Sequence, residues 1–255
     1  MNSGISRPAI FLFTIIHLKQ ISKVCCYYGM EKWTYALLLA GSIAIPLIRS
    51  FETRVRFREK WVPLFAGIFV MMLVFIPWDV IFTRHGIWWF NHDYVTGLYI
   101  LNLPVEEWLF FVIIPYCVMF TYEVLKYFFP RFHFPKTSLW ISIALGVLFI
   151  LLGVLNAHRT YTLVVMLLTG LLALLQPLIK SHKSWLSHFY LTYVITLIPF
   201  FIVNGVLTAI PVVSYNDLEN FGIRLYTIPI EDSVYLLGMM FIVTMVYEFI
   251  RKKHH

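Results

Sequence analysis

Leu103-Pro104-Val105-Glu106-Glu107 is the stretch that decides the fold, because it returns 125 residues later as Ile228-Pro229-Ile230-Glu231-Asp232. Each copy opens a long apolar run, and the two runs close on Tyr122-Glu123 and Tyr247-Glu248. Charged residues inside or at the edge of a membrane segment are costly. Two matched acidic pairs therefore predict a site built from both halves of a duplicated membrane protein.

The composition indicates a membrane protein. Hydrophobic residues make up 60% of the 255 residues, and charged residues make up only 13%, against about 25% in a typical soluble domain. Apolar stretches close to or above the ~20 residues that span a bilayer recur along the chain. We predict seven transmembrane helices, at about 33–48, 62–82, 104–125, 139–156, 161–179, 188–210 and 229–250.

The net charge of +7 is an orientation signal rather than a sign of nucleic-acid binding. Basic residues concentrate on one predicted side, in the loops 49–60, 126–136 and 180–183 and in the tail 251–253, whereas the other side holds Lys32, Arg84, Arg159 and Arg224. The basic side is expected to be cytoplasmic and to attract anionic lipid weakly. We therefore predict a multi-pass protein of the cell (inner) membrane, with its amino terminus outside and its carboxyl terminus in the cytoplasm.

A shift of 125 residues aligns the two halves without gaps. Identities fall on polar and special residues, namely Thr83/Thr208, Asn91/Asn216, Gly97/Gly222, Pro104/Pro229, Glu106/Glu231, Tyr122/Tyr247 and Glu123/Glu248. An odd helix between two three-helix units keeps both units in the same orientation, as in parallel repeats about an axis along the membrane normal. We predict an all-α integral membrane protein with a first repeat at 30–129, a connector helix at 130–157 and a second repeat at 158–255.

Residues 1–29 differ from the rest of the chain. An apolar run from Pro8 to Leu18 is too short to span a bilayer, and it is followed by Lys19 and Lys23 without a convincing cleavage site. We expect Met30 to be the natural start and the lead to be an extension; an interfacial helix is the alternative.

The paired acids have two interpretations. Proline at a first helical position and carboxylates in a first turn are favourable, so both motifs could simply start helices. That explanation does not account for acid pairs at the outer ends of equivalent helices. Neighbouring carboxyl groups in an apolar site can hold a proton at neutral pH, which a general acid requires. We predict that Glu106 and Glu231, identical between the halves, are the essential pair, and that Glu107 and Asp232 support them.

Four further residues are candidates for a supporting role at the same level. Asp79 is a lone acid that ends the second predicted span, and its repeat partner is Asn204. A polar helix end is the alternative interpretation for Asp79. Asn216 is a further polar candidate, and Trp108 fits either an aromatic belt or cation–π stabilisation of a carbocation. For Trp88 and Trp89 we expect the aromatic belt.

Glu123 and Glu248 lie 17 residues beyond Glu106 and Glu231, about 25 Å along a helix. Lys126 and Arg251 follow them at i+3, so ordinary ion pairs at the cytoplasmic interface are expected.

Several classes of chemistry are disfavoured. The cysteines and histidines show no ligand spacing, so no metal site is predicted. The chain lacks a glycine-rich dinucleotide fingerprint and a P-loop. Its four Asp residues form no cluster that would hold magnesium and a diphosphate. We predict no cofactor.

The chain resembles a known family. Pro-x-Glu-Glu and Pro-x-Glu-Asp on equivalent helices, with Pro77-Trp78-Asp79, Asn204-Gly205 and Tyr215-Asn216, are similar to the membrane-integral lycopene cyclase domain over residues 30–253. That family occurs as two small subunits, as a fused chain, and joined to phytoene synthase in fungi. The resemblance implies conversion of lycopene through γ-carotene to β-carotene without net redox change. It also implies carotenoids and membrane lipids as partners, contact with other enzymes of the pathway, and no nucleic acid.

Two other functions fit parts of the pattern. A small membrane transporter could also place carboxylates at a repeat interface, although these acids lie near helix ends rather than at the membrane centre. A structural subunit of a membrane complex is the third interpretation, and the four matched acids argue against it.

Overall fold

A computed structural model describes residues 31–179 and 185–253, which form seven α-helices and six short strands. The helices are α1 Thr34–Arg49, α2 Trp61–Arg84, α3 Val105–Phe128, α4 Pro135–Leu155, α5 Thr160–Leu175, α6 Leu186–Ala209 and α7 Glu231–Lys253. The strands are β1 Trp88–Phe90, β2 Tyr99–Ile100, β3 Leu103–Pro104, β4 Val213–Tyr215, β5 Arg224–Leu225 and β6 Ile228–Pro229. The expectations for residues 1–29 lie outside the described residues.

The all-α membrane-type fold predicted from the sequence is confirmed, and each predicted span corresponds to one helix. Within the described ranges, six helical segments are long and apolar enough to cross a bilayer: Phe57–Arg84, Val105–Phe128, Pro135–Leu155, Thr160–Leu178, Leu186–Ala209 and Glu231–Lys252. The first helix, α1, has 16 residues, fewer than the ~20 of an ordinary span. It ends at Arg49, where the apolar run gives way to the basic loop.

The backbone repeats its unusual features at the 125-residue spacing. Gly97 and Gly222 have φ of +86° and +71°, and Leu101 and Tyr226 have φ of +58° and +62°. Leu101 and Tyr226 lie in the turns of two equivalent hairpins, in which β2 pairs with β3 and β5 pairs with β6 in the same register, and the two glycines precede these hairpins. Each hairpin delivers the chain into the first turn of a long helix, so the hairpins fix where α3 and α7 begin.

Strands β1 and β4 join the two repeats around a pseudo-two-fold axis. Trp88 pairs with Tyr215, Trp89 with Ser214 and Phe90 with Val213. Since Trp88 corresponds to Val213 and Phe90 to Tyr215, the pairing is reciprocal. Two equivalent backbone hydrogen bonds of 2.9 Å flank it, from Asn91 N to Val212 O and from Asn216 N to Ile87 O.

Helix packing follows the same symmetry. Within each repeat the first helix packs on the third, α1 on α3 and α5 on α7, and each third helix also contacts the second helix of the other repeat. The α2–α7 contact is close at Gly67, where a Cβ atom would lie 2.7 Å from the carbonyl oxygen of Val243. The connector α4 packs on α5. The repeat boundaries at 30–129 and 158–255 stay a prediction.

The two Tyr-Glu motifs meet at the end of the bundle that carries the basic loop 49–60, which we call the basic end. The ion pairs expected at i+3 are present, at 4.0 Å for Lys126–Glu123 and 3.3 Å for Arg251–Glu248. Lys126 and Arg251 also reach across the repeats, at 2.8 Å to Glu248 and 3.1 Å to Glu123. Both carboxylates are buried, so these pairs belong to the helix interface rather than to an exposed surface.

Candidate functional site

The site lies at the opposite end of the bundle, beside the six strands, which we call the strand end. A cavity of about 50 Å³ opens there. Five repeat-related pairs line it: Asp79/Asn204, Trp88/Val213, Phe90/Tyr215, Glu107/Asp232 and Phe110/Tyr235. Tyr35, Tyr161, Phe200, Leu207 and Thr208 complete the lining. One cavity therefore receives equivalent positions from both repeats.

The two acids of each motif point in different directions. Successive residues of an α-helix are rotated by about 100°, so only one of two neighbours can face the cavity. Glu107 and Asp232 line the cavity, whereas Glu106 and Glu231 turn towards the preceding loops. The sequence alone cannot make this distinction, because it depends on how α3 and α7 are rotated in the bundle.

Glu106 and Glu231 tie the loops to the helix starts. Oε1 of Glu106 accepts a 2.7 Å hydrogen bond from Thr96 N, and Oε1 of Glu231 accepts a 2.6 Å bond from Phe221 N. Glu231 Oε1 also accepts a 2.6 Å bond from Thr162 Oγ1. Both side chains are buried, at 1% and 0% exposure. Their geometry suits the helix-start interpretation that the sequence left open.

Asp232 is the most completely hydrogen-bonded acid of the cavity. Its Oδ1 accepts a 2.7 Å bond from Tyr161, and its Oδ2 accepts bonds of 2.9 Å from Tyr215 and 3.1 Å from Asn204. Burial and the neighbouring Asp232 raise the pKa of Tyr215 well above its ordinary value. Tyr215 therefore stays a protonated donor at neutral pH, and Asp232 keeps its three partners.

The acids of the first repeat are held by fewer donors. Glu107 Oε2 accepts a 2.7 Å hydrogen bond from Tyr35. Oδ1 of Asp79 accepts a 2.6 Å bond from the indole of Trp88 and a 3.3 Å bond from Thr83. The other oxygen of Asp79, Oδ2, is buried and has no hydrogen-bond partner. Each of these two acids therefore has one carboxyl oxygen with acceptor bonds and one without a hydrogen bond to the described residues.

Aromatic rings form much of the wall around these acids. Tyr161 and Tyr215 stack with centroids 6.1 Å apart, and Trp88 meets Tyr161 edge-on at 5.1 Å. Tyr235 packs against Phe75 at 4.8 Å, which fixes its ring beside the cavity. Electron-rich ring faces that line a cavity stabilise positive charge in a molecule bound there.

Most of the aromatic residues that line the cavity are not among the site residues predicted from the sequence. We expected Trp88 in an aromatic belt, yet it is 5% exposed and hydrogen-bonded to Asp79, whereas Trp89 is 48% exposed. The alternation of buried and exposed residues along β1 separates the two, as strand geometry dictates. A strand predicted at 88–90 would have indicated that Trp88 is buried and Trp89 exposed. No local pattern marks Tyr35, Tyr161 and Tyr235, which reach the site through tertiary packing.

The structure brings some predicted site residues together and leaves others apart. Asp79, Glu107, Asn204 and Asp232 share the cavity. Asn216 instead accepts a 3.1 Å hydrogen bond from Leu218 N within its own loop, and Trp108 donates a 3.4 Å bond to Ile100 O. The roles assigned to all these residues stay predictions.

Charge in the lining is entirely acidic. Among the described residues that line the cavity, none is Lys, Arg or His. Within residues 31–179 and 185–253, no three His, Cys, Asp or Glu side chains come together as metal ligands. The expectation that the chain needs no cofactor stays a prediction.

Comparisons with known proteins agree with the resemblance seen in the sequence. A family model described as "Lycopene cyclase" matches residues 32–125 and 158–250. A bifunctional lycopene cyclase/phytoene synthase of Aspergillus niger is 29% identical over 115 residues, which cover 45% of this chain and 18% of the relative. The protein of the same description from Aspergillus oryzae is 30% identical over 98 residues, which cover 38% and 16%. The matched part thus spans less than a fifth of these relatives, and no solved structure matches the chain.

Proposed function

Since the chain belongs to the lycopene cyclase family, we propose that it is a lycopene β-cyclase that closes the ends of lycopene to give γ-carotene and then β-carotene. The reaction is an isomerisation, with no net oxidation or reduction. The single observation that carries the proposal is the strand-end cavity, in which Asp79, Glu107 and Asp232 meet inside an aromatic wall.

The chemistry needs one acid and one base at the same ring-forming end. A carboxylic acid protonates the terminal double bond of lycopene and leaves a tertiary carbocation. The next double bond attacks that cation, so that a carbon–carbon bond forms and the positive charge moves into the new ring. A carboxylate then removes a ring proton and restores a double bond. General acid–base groups of this kind typically contribute about 10²- to 10⁴-fold in rate.

The remaining lining suits the intermediate. Trp88, Tyr161, Tyr215 and Tyr235 present aromatic rings to the cavity, and such rings stabilise a nearby cation. Phe110, Phe200 and Leu207 supply apolar surface for the hydrocarbon. Because the substrate dissolves in the bilayer, it reaches the site laterally between helices. We place the protein in the cell membrane, with the strand end outside and the basic end in the cytoplasm.

Pigment analysis in lycopene-accumulating cells tests the function. The full chain is expressed there, its presence in the membrane fraction is checked with an antibody or tag, and the carotenoids are separated and identified. Conversion of lycopene to γ- and β-carotene, absent from cells with an empty vector, is the expected result. Unchanged lycopene in cells that contain the protein at normal level in the membrane would overturn the proposal.

A further inference from the structure

We propose that the cavity is polarised across the repeat axis, with Asp79 of the first repeat as the proton donor and Asp232 of the second repeat as the base that takes the ring proton. The inference rests on the proposed function and assigns opposite roles to two acids of one site. It arises from the divergence of repeat-related pairs in the cavity, above all Asp79 against Asn204 and Trp88 against Val213.

The hydrogen bonds of Asp232 favour its ionised form. Three neutral donors, the hydroxyls of Tyr161 and Tyr215 and the amide of Asn204, point at its two oxygens. Hydrogen bonds donated to a carboxylate stabilise the charged state. All donor hydrogens around this acid are therefore arranged for a carboxylate, which is the form that a base requires.

Asp79 has the opposite environment. Its Oδ1 accepts hydrogen bonds, while its Oδ2 is buried without any partner. A buried charge that is incompletely hydrogen-bonded is costly, and Glu107 places a second carboxyl group in the same cavity. Two carboxyl groups that share one site are most stable when one of them carries a proton. A proton on Asp79 Oδ2 has no acceptor among the described residues, and Asp79 lines the cavity that would hold the substrate.

The second repeat cannot perform the same step. The position equivalent to Asp79 is Asn204, whose amide donates to Asp232, and the position equivalent to Trp88 is Val213, which has no hydrogen-bond donor in its side chain. The acid and its indole partner therefore exist on one side of the axis only.

Each ring closure uses one proton and releases one proton. Asp79 loses a proton to the inner carbon of the terminal double bond, and Asp232 gains one from the ring cation. Net exchange of protons with water, or between the two acids, restores the starting state before the next ring closes. The cationic ring carbon has two ring neighbours and one methyl group, so the position of Asp232 decides which of three isomeric rings forms.

Deuterium exchange separates the two roles. Membranes containing Asp79→Asn, Asp232→Asn or the parent chain are incubated with lycopene in deuterated buffer, and both product and recovered lycopene are analysed by mass spectrometry. Asp79→Asn should lower cyclisation by about 10²-fold or more and leave recovered lycopene unlabelled. Asp232→Asn should also block cyclisation but label the recovered lycopene, because protonation at the terminal double bond still occurs and reverses. A merely structural role would give no label in either variant.

Two further variants complete the test. The exchanged pair Asp79→Asn with Asn204→Asp keeps the residue content of the cavity but moves the acid to the other side, and it should stay inactive. Asp232→Glu should form rings and raise the fraction of isomers other than the β ring. Asp93→Asn, an exposed acid at the strand end, is the control and should match the parent.

The outcomes separate the inference from the function beneath it. A parent chain that fails to cyclise lycopene overturns the proposed function. If the parent is active, three results overturn only the assignment of Asp79 as donor and Asp232 as base. These results are restored activity in the exchanged pair, labelled lycopene with Asp79→Asn, and unlabelled lycopene with Asp232→Asn.

Discussion

The hydroxyl of Tyr122 in the first repeat donates a 2.6 Å hydrogen bond to Glu248 in the second, and Tyr247 returns a 2.9 Å bond to Glu123. The Tyr-Glu motif at the end of each apolar run therefore forms hydrogen bonds with the equivalent motif of the other repeat. This exchange is buried at the basic end and fastens α3 to α7 about 25 Å from the cavity acids. It holds the two halves of the cavity in register without touching the cavity.

We expect Tyr122→Phe to lower the stability of the protein by about 1–3 kcal/mol, because Glu248 is buried and loses a hydrogen-bond donor. Tyr247→Phe should do the same to Glu123. Thermal unfolding in detergent measures both effects, with Tyr127→Phe as the matched control because Tyr127 is 50% exposed. Equal melting temperatures for Tyr122→Phe and the control would show that the exchange does not stabilise the interface.

A second prediction distinguishes the neighbouring acids of each motif. The sequence ranks Glu106 and Glu231 as the essential pair, but the cavity receives Glu107 and Asp232. We expect Glu107→Gln to lower lycopene cyclisation by about 10²-fold, because Glu107 is the second carboxyl group beside Asp79 in the cavity and helps to keep a proton there. Glu106→Gln should cost much less, since its amide oxygen can still accept the bond from Thr96 N.

Both variants are compared at equal protein level in membranes of lycopene-accumulating cells. If Glu106→Gln is inactive and Glu107→Gln is active, the ranking drawn from the sequence is right and the cavity-based one is wrong.

The α2–α7 contact gives a third prediction. Gly67→Ala should destabilise the protein by about 1–3 kcal/mol, the usual cost of overpacking, because its Cβ would lie 2.7 Å from a backbone oxygen of Val243. Gly41→Ala in α1 is the control, since nothing lies within 4 Å of its added Cβ; it should be neutral or gain about 0.5–1 kcal/mol. The stabilities of the two variants are compared by thermal unfolding in the same detergent. If Gly67→Ala is as stable as Gly41→Ala, the close contact at Gly67 is refuted.

Membrane orientation is the fourth prediction. The concentration of basic residues in 49–60, 126–136 and 251–253 should place these segments in the cytoplasm. Reporter fusions at residue 255 and within 49–60 should give cytoplasmic signals, and a fusion near Asp93 should give an outside signal. The reverse pattern would invert the assignment and move the cavity to the cytoplasmic side.

The helices could be predicted from the sequence because apolar length and charge placement are local properties. The repeat was also visible, because its identities fall on Pro, Glu, Asn and Tyr rather than on interchangeable aliphatic residues. The hairpins were not predicted, since β2 and β5 are two-residue strands without an alternating pattern.

The site could be predicted only in part. Asp79, Asn204, Glu107 and Asp232 were recognised because the repeat places polar residues at helix ends. The division between Glu106 and Glu107 depends on helix rotation, which no spacing along the chain reveals. Tyr35 and Tyr161 bond equivalent acids, although they stand 126 rather than 125 residues apart, so a gapless alignment cannot pair them.

The shared cavity has a consequence for how the duplicated halves depend on each other. A protein assembled from two copies of the first half would have aspartate on both sides of the axis and would lack Tyr215 and Asn204 around its second acid. Two copies of the second half would lack Asp79 and its indole partner. Neither half alone can supply the full lining, so each half depends on cavity residues that only the other half contributes.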